Sequence, residues 1–141
     1  VYRFWYLEIE SMDEAKYTET AVLFYQNVFK LLPDVGPLFT KGIEFHAKQF
    51  FGMFRWLITN FKEPDPHRLI QKINILGKTH RKMGIKEEWY DAMLQALHDT
   101  LTATVHDKYT SRIRFCWEQL YTVVVNIMMG KDFDALSSAK I

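Results

Sequence analysis

The stretch LGKTHRKMGIKEEWY, residues 76–90, places His80 four residues after Leu76 and seven after Ile73. On a helix these positions share one face, so the imidazole points where its apolar neighbours point. A neutral imidazole in such a place has one ring nitrogen that donates and one that accepts or binds a metal. By periodicity alone His80 reads first as a hydrogen-bonded core histidine and second as a ligand. His46, His67, His98 and His106 are scattered, and no HxxxH, CxxC or HExxH spacing builds a metal cage. A glycine-rich phosphate loop is missing. Tyr25, Ser11 and Ser111 stand in no local nucleophile signature, so hydrolase chemistry has no support.

The elements that would position His80 follow from apolar spacing. With 6 glycines and 4 prolines as punctuation, the chain reads as all-α. Helices are predicted over 3–11, 18–32, 44–61, 66–82, 87–105 and 111–129, six or seven packed around one core. Asp65 is a candidate N-cap, Pro66 a suitable first helical residue, and Gly84 a stop. Val22, Tyr25, Val28, Phe29 and Leu32 share a face of the second segment. Phe45, Gln49, Met53 and Leu57 form a stripe on the third, with Phe50, Phe54 and Phe61 beside it. Neither internal repeats nor alternating strand patterns occur.

A 141-residue chain that is 48% apolar can bury one sizeable core, so a single domain over 1–141 is expected. Its 18 basic and 17 acidic residues leave a net charge of +1, which argues against nucleic acid or an anionic membrane as partner. The longest apolar run, VVVNIMM at 123–129, is far shorter than the ~20 residues of a membrane span. The opening VYRFWYLEIE lacks the basic leader and cleavage site of a signal peptide. The lone Cys116 reads as a buried, inert thiol and fits a reducing, cytoplasmic setting. A start at Val1 is compatible with excision from a longer chain.

Taken together and in order, several segments resemble the globin family, most closely the globin domain of flavohaemoglobins and the single-domain bacterial-type haemoglobins. LFYQNVF at 23–29 is similar to the second-helix motif whose tyrosine faces the distal side of the haem pocket, here Tyr25. PDVGPLF at 33–39 resembles the turn ending in the phenylalanine that packs on the porphyrin, here Phe39. Gln49 matches the distal glutamine and Met53 the apolar position one turn on. The 31-residue interval from Gln49 to His80 is about one residue shorter than in flavohaemoglobins, so Lys48 stands as the alternative distal residue. LGKTHRKMGIKEEWY resembles the segment bearing the proximal histidine, His80, with Tyr90 matching a tyrosine that touches it. In WEQLYTVVVNIMMGKD at 117–132, Asp132 occupies the place of the family's proximal glutamate.

The resemblance implies a globin fold of six to eight helices around haem b, with His80 as axial ligand. Phe24, Phe39, Phe50, Met53, Leu76 and Ile85 would wall the porphyrin, and apolar burial of this kind contributes about 25 cal/mol per Å². It further implies tight binding of dioxygen under Tyr25 and Gln49, with nitric oxide and carbon monoxide as other gaseous ligands. Tyr90 and Asp132, by accepting or relaying the hydrogen bond of the second His80 nitrogen, would make the imidazole a stronger donor. Nitric oxide dioxygenation is then implied, given an external reductase, because no flavin or nicotinamide module stands within residues 1–141. The alternative is a haem-based gas sensor acting on a fused output domain.

Overall fold

The computed structural model describes residues 1–62 and 64–131, and every regular element among them is helical. Helix α1 (Tyr2–Phe4) widens directly into a π-helical turn, Trp5–Glu10. Helix α2 (Glu14–Leu31) follows, then a 3-10 turn, Pro33–Leu38. The chain continues through α3 (Ile43–Asn60), α4 (His67–Lys82), α5 (Trp89–Val105) and α6 (Ser111–Met128), with a short 3-10 turn, His106–Lys108, before α6.

Local chemistry sets these boundaries. The Asp13 carboxylate accepts the Lys16 backbone N–H at 2.7 Å, which opens α2 one turn earlier than apolar spacing places it. Pro33 cannot continue the helix, and α2 ends at Leu31. Asp65 accepts the His67 N–H at 3.0 Å, but Pro66 takes the N-cap position and α4 starts at His67, one residue later than read from sequence. At its other end Gly84 takes φ +85°, a backbone conformation that a side chain would strain. The Gly84 N–H then reaches the Arg81 carbonyl and the Ile85 N–H the His80 carbonyl, both at 3.0 Å. This closure satisfies orphan carbonyls at the end of α4 and fixes the turn that follows His80.

Helix α2 packs against α3 and α5, while α4 packs against α6. Between them lies a core in which Phe24, Phe51, Leu97, Leu101, Trp117 and Ile127 are fully buried. The Trp5 ring joins the amino-terminal turn to this core, 5.8 Å from Phe51 and 6.0 Å from Trp117. Its indole N–H donates to Glu10, whose carboxylate also receives Arg55 at 2.9 Å.

One surface reading differs from the sequence expectation: Cys116 is half-buried rather than enclosed. Phe115, its neighbour on α6, is 60% exposed. Helix α6 carries apolar residues around much of its circumference, and spacing cannot say which of them find a partner. Among the described residues no helix is long and apolar enough to cross a membrane.

Candidate functional site

His80 lies in the last turn of α4, half-buried. Its Nδ1 is 2.7 Å from the Leu76 carbonyl, one turn back. A carbonyl only accepts, so the proton belongs on Nδ1 and the lone pair on Nε2. That tautomer is the one an imidazole needs to bind a metal through Nε2 while its other nitrogen is held by a neighbour.

The helix carrying His80 is seated with little freedom. A Cβ at Gly77 would fall 2.1 Å from the Met128 carbonyl oxygen and 2.7 Å from the Met128 Cα, so only glycine lets α4 lie this close to α6. The Arg81 guanidinium then donates to the same Met128 carbonyl at 2.6 Å. Beside the imidazole stands the Tyr90 ring, 6.4 Å between centroids, while the Tyr90 backbone carbonyl accepts the Tyr121 hydroxyl at 2.7 Å. Burial raises the Tyr90 phenol above its ordinary pKa, and the Arg81 charge opposes that shift. The Nδ1 hydrogen bond of His80 is thus spent within α4, on Leu76, and Tyr90 flanks the ring. Asp132 lies outside the described residues.

A second group forms where α2 meets the turn after it and α3. Tyr25 is 5% exposed, with Phe24 at 4.9 Å, Phe39 at 5.0 Å and Phe50 at 6.1 Å between ring centroids. Phe24 and Phe50 stack at 4.2 Å, so these aromatics form one block. Burial drives the Tyr25 pKa far above the ordinary tyrosine range, and its hydroxyl is a neutral donor at physiological pH. His46 braces this block from α3: its ring meets Phe39 edge-on at 5.0 Å, and its Nε2 accepts the Lys41 backbone N–H at 3.3 Å.

Helix α3 buries Ala47, Phe51, Phe54, Leu57 and Ile58 against its neighbours. The stripe read from sequence therefore splits. Leu57 is buried, whereas Phe45 is 40% exposed, Gln49 and the adjacent Lys48 are exposed, and Met53 is half-buried. Phe39, Phe50, Leu76 and Ile85 are likewise only partly covered. Apolar side chains left half-covered on α3 and α4, helices that pack on different partners, are what a large flat apolar group would cover. Among the described residues no three His, Cys, Asp or Glu side chains converge as metal ligands. A metal at His80 would then have to arrive with most of its coordination supplied by a bound group, and a porphyrin iron meets that requirement.

A cleft of about 480 Å³ opens between α5 and α6, lined by Glu87, Asp91, Tyr90, Tyr121 and Val125 among others, but not by His80 or Tyr25. Sequence reasoning also missed a buried polar group on the far part of α5. His98 is 2% exposed, with the Tyr109 hydroxyl on Nδ1 and the Glu118 carboxylate 3.1 Å from Nε2. Its members come from three separate elements, so no local spacing announces them. Gly77 carried no distinguishing signal, since Gly52 also stands inside a helix and meets nothing within 4 Å. Residues 22–128 match the family model described as Globin.

Proposed function

The chain belongs to the globin family, and we propose that it binds haem through His80 and holds dioxygen with high affinity on the opposite side, beneath Tyr25. The observation that carries this reading is the His80 tautomer: Nδ1 donates to Leu76 at 2.7 Å, which leaves the Nε2 lone pair for iron. Haem supplies an iron that takes up diatomic gases reversibly. Phe39, Phe50, Met53, Leu76 and Ile85, partly covered in the protein alone, provide apolar walls, and Phe24 backs Phe50.

Tyr25 keeps its proton because its surroundings are aromatic and dry. It would donate to a ligand that gains partial negative charge, and such a bond contributes about 1.5 to 3 kcal/mol. Gln49, or Lys48 beside it, stands on the exposed side of α3 one turn before Met53 and would orient that donor. Tight dioxygen retention suits conversion of nitric oxide, dioxygen and one electron into nitrate, with the electron delivered by an external reductase. In that reaction the Leu76 carbonyl, which accepts the Nδ1 proton, would adjust how strongly His80 donates, with Tyr90 packed beside the ring.

The test is reconstitution with hemin, reduction, and stopped-flow measurement of dioxygen release. Tyr25→Phe is expected to accelerate release by about ten-fold to more than a hundred-fold, the range set by one lost charge-assisted bond. An unchanged rate would return Tyr25 to the core. Mixing the oxygenated protein with nitric oxide tests the second part, and a slow or absent oxidation would reject dioxygenation while leaving haem binding intact.

A further inference from the structure

We propose that Tyr109 is a redox-active tyrosine, with His98 as the base that takes its proton when an electron leaves. The arrangement lies at the α5–α6 connection and rests on none of the residues assigned to haem. His98, on α5, is 2% exposed, and its Nε2 faces Glu118 of α6 at 3.1 Å. A carboxylate only accepts, so the imidazole proton sits on Nε2. Nδ1 is therefore the lone-pair nitrogen, and the Tyr109 hydroxyl donates to it. The position of every proton in the chain Tyr109, His98, Glu118 follows from which group can only accept.

That order matters for electron loss. A phenol that loses an electron becomes a strong acid, so oxidation is accessible where a base is already hydrogen-bonded to it. Here the Tyr109 O–H bond breaks, the proton passes to His98 Nδ1, and one electron goes to an outer-sphere one-electron oxidant. The products are a neutral phenoxyl and an imidazolium held against the Glu118 carboxylate. Burial and then Arg114 oppose that cation and hold the His98 imidazole below its ordinary pKa, while Glu118 and Asp99 favour the cation and offset part of that shift. Arg114 also approaches Glu118 at 3.6 Å and keeps the carboxylate in place. A one-electron reductant returns the electron, and His98 returns the proton.

Two buried tyrosines, Tyr121 and Tyr25, lack this provision. Tyr121 donates to the Tyr90 carbonyl, and Tyr25 is surrounded by phenyl rings, neither of which takes up a proton. The Tyr109 ring is half-buried against Phe4 at 5.9 Å, which leaves part of it within reach of an external redox partner.

The full chain is illuminated with ruthenium tris-bipyridine and a cobalt(III) acceptor, frozen under light, and examined by electron paramagnetic resonance. A neutral tyrosyl signal is expected in the wild type, lost in Tyr109→Phe and in His98→Gln. In deuterium oxide the wild-type radical is expected to show electron–nuclear coupling to one exchangeable deuteron, the one shared with His98. Survival of the signal in Tyr109→Phe, or absence of the deuteron coupling in the wild type, would overturn the proposal. The coupling is read on unmutated protein and does not depend on how well either variant folds.

Discussion

Replacing Gly77 by alanine puts one methyl group between two backbones. The added carbon would sit 2.1 Å from the Met128 oxygen, where ordinary contact begins near 3.4 Å, so α4 and α6 must part by roughly 1 Å. Backbone atoms cannot rotate aside, which puts the overpacking cost at the upper end of its usual range, about 3 kcal/mol. Alanine recovers about 1 kcal/mol through its better helix propensity. The net loss is about 2 kcal/mol, or about 8 °C in Tm at roughly 4 °C per kcal/mol for a chain of this size. Parting the helices also stretches the Arg81 to Met128 bond, now 2.6 Å, and displaces the turn that carries His80.

Far-ultraviolet circular dichroism melts at matched haem loading and protein concentration read the effect. Gly52→Ala is the control, because Gly52 lies inside α3 with nothing within 4 Å of its added carbon. The same substitution there is expected to stabilise by up to about 1 kcal/mol. A Gly77→Ala protein that melts at or above the wild-type temperature would refute the close-approach argument.

His80→Gly is expected to abolish the Soret band of the hemin-reconstituted protein, and imidazole added to the solution to restore it. A variant that keeps its band without imidazole would remove His80 as the ligand. The alkaline limit of stability is also set by the fold. Tyr17 is pushed up from 10.0 to about 12, chiefly by burial and then by Glu10, with Arg55 opposing. Between those values the unfolded chain has released the proton and the folded one has not, so stability falls as pH rises from 10 to 12. Tyr25, Tyr109 and Tyr121 are shifted in the same direction, mainly by burial. Urea midpoints across this window should decline less steeply in Tyr17→Phe, and an identical slope would contradict the assignment.

Helix positions were legible because periodicity and punctuation agree at most boundaries. Asp65 accepts the first N–H of α4, Pro33 stops α2, and Gly84 turns, each for a reason a residue type carries by itself. The early start of α2 was not legible, since EAKYTET offers no apolar rhythm and the Asp13 cap is visible only once the chain bends there. His80 was marked by its place on an apolar face, yet its tautomer depended on the Leu76 carbonyl, a backbone atom no motif describes. The stripe on α3 misled for a similar reason. Phe45 and Met53 keep helical spacing with Leu57, but which face meets α2 is decided by the partner helix. The polar group around His98 needed Tyr109 and Glu118 to be brought together by the α5–α6 connection.

The seat of α4 also bears on the order in which the molecule is completed during synthesis. The helix is fully translated at Lys82, but its docking point, the Met128 carbonyl, belongs to the last turn of α6. For the whole interval between those residues α4 is on hand without the helix it packs on most. The aromatic block on the opposite side needs only residues up to Phe50 and is available far sooner. On the proposed haem site these two parts would mature at different times, and prosthetic-group capture by a nascent chain would begin on the aromatic side and be locked by α6.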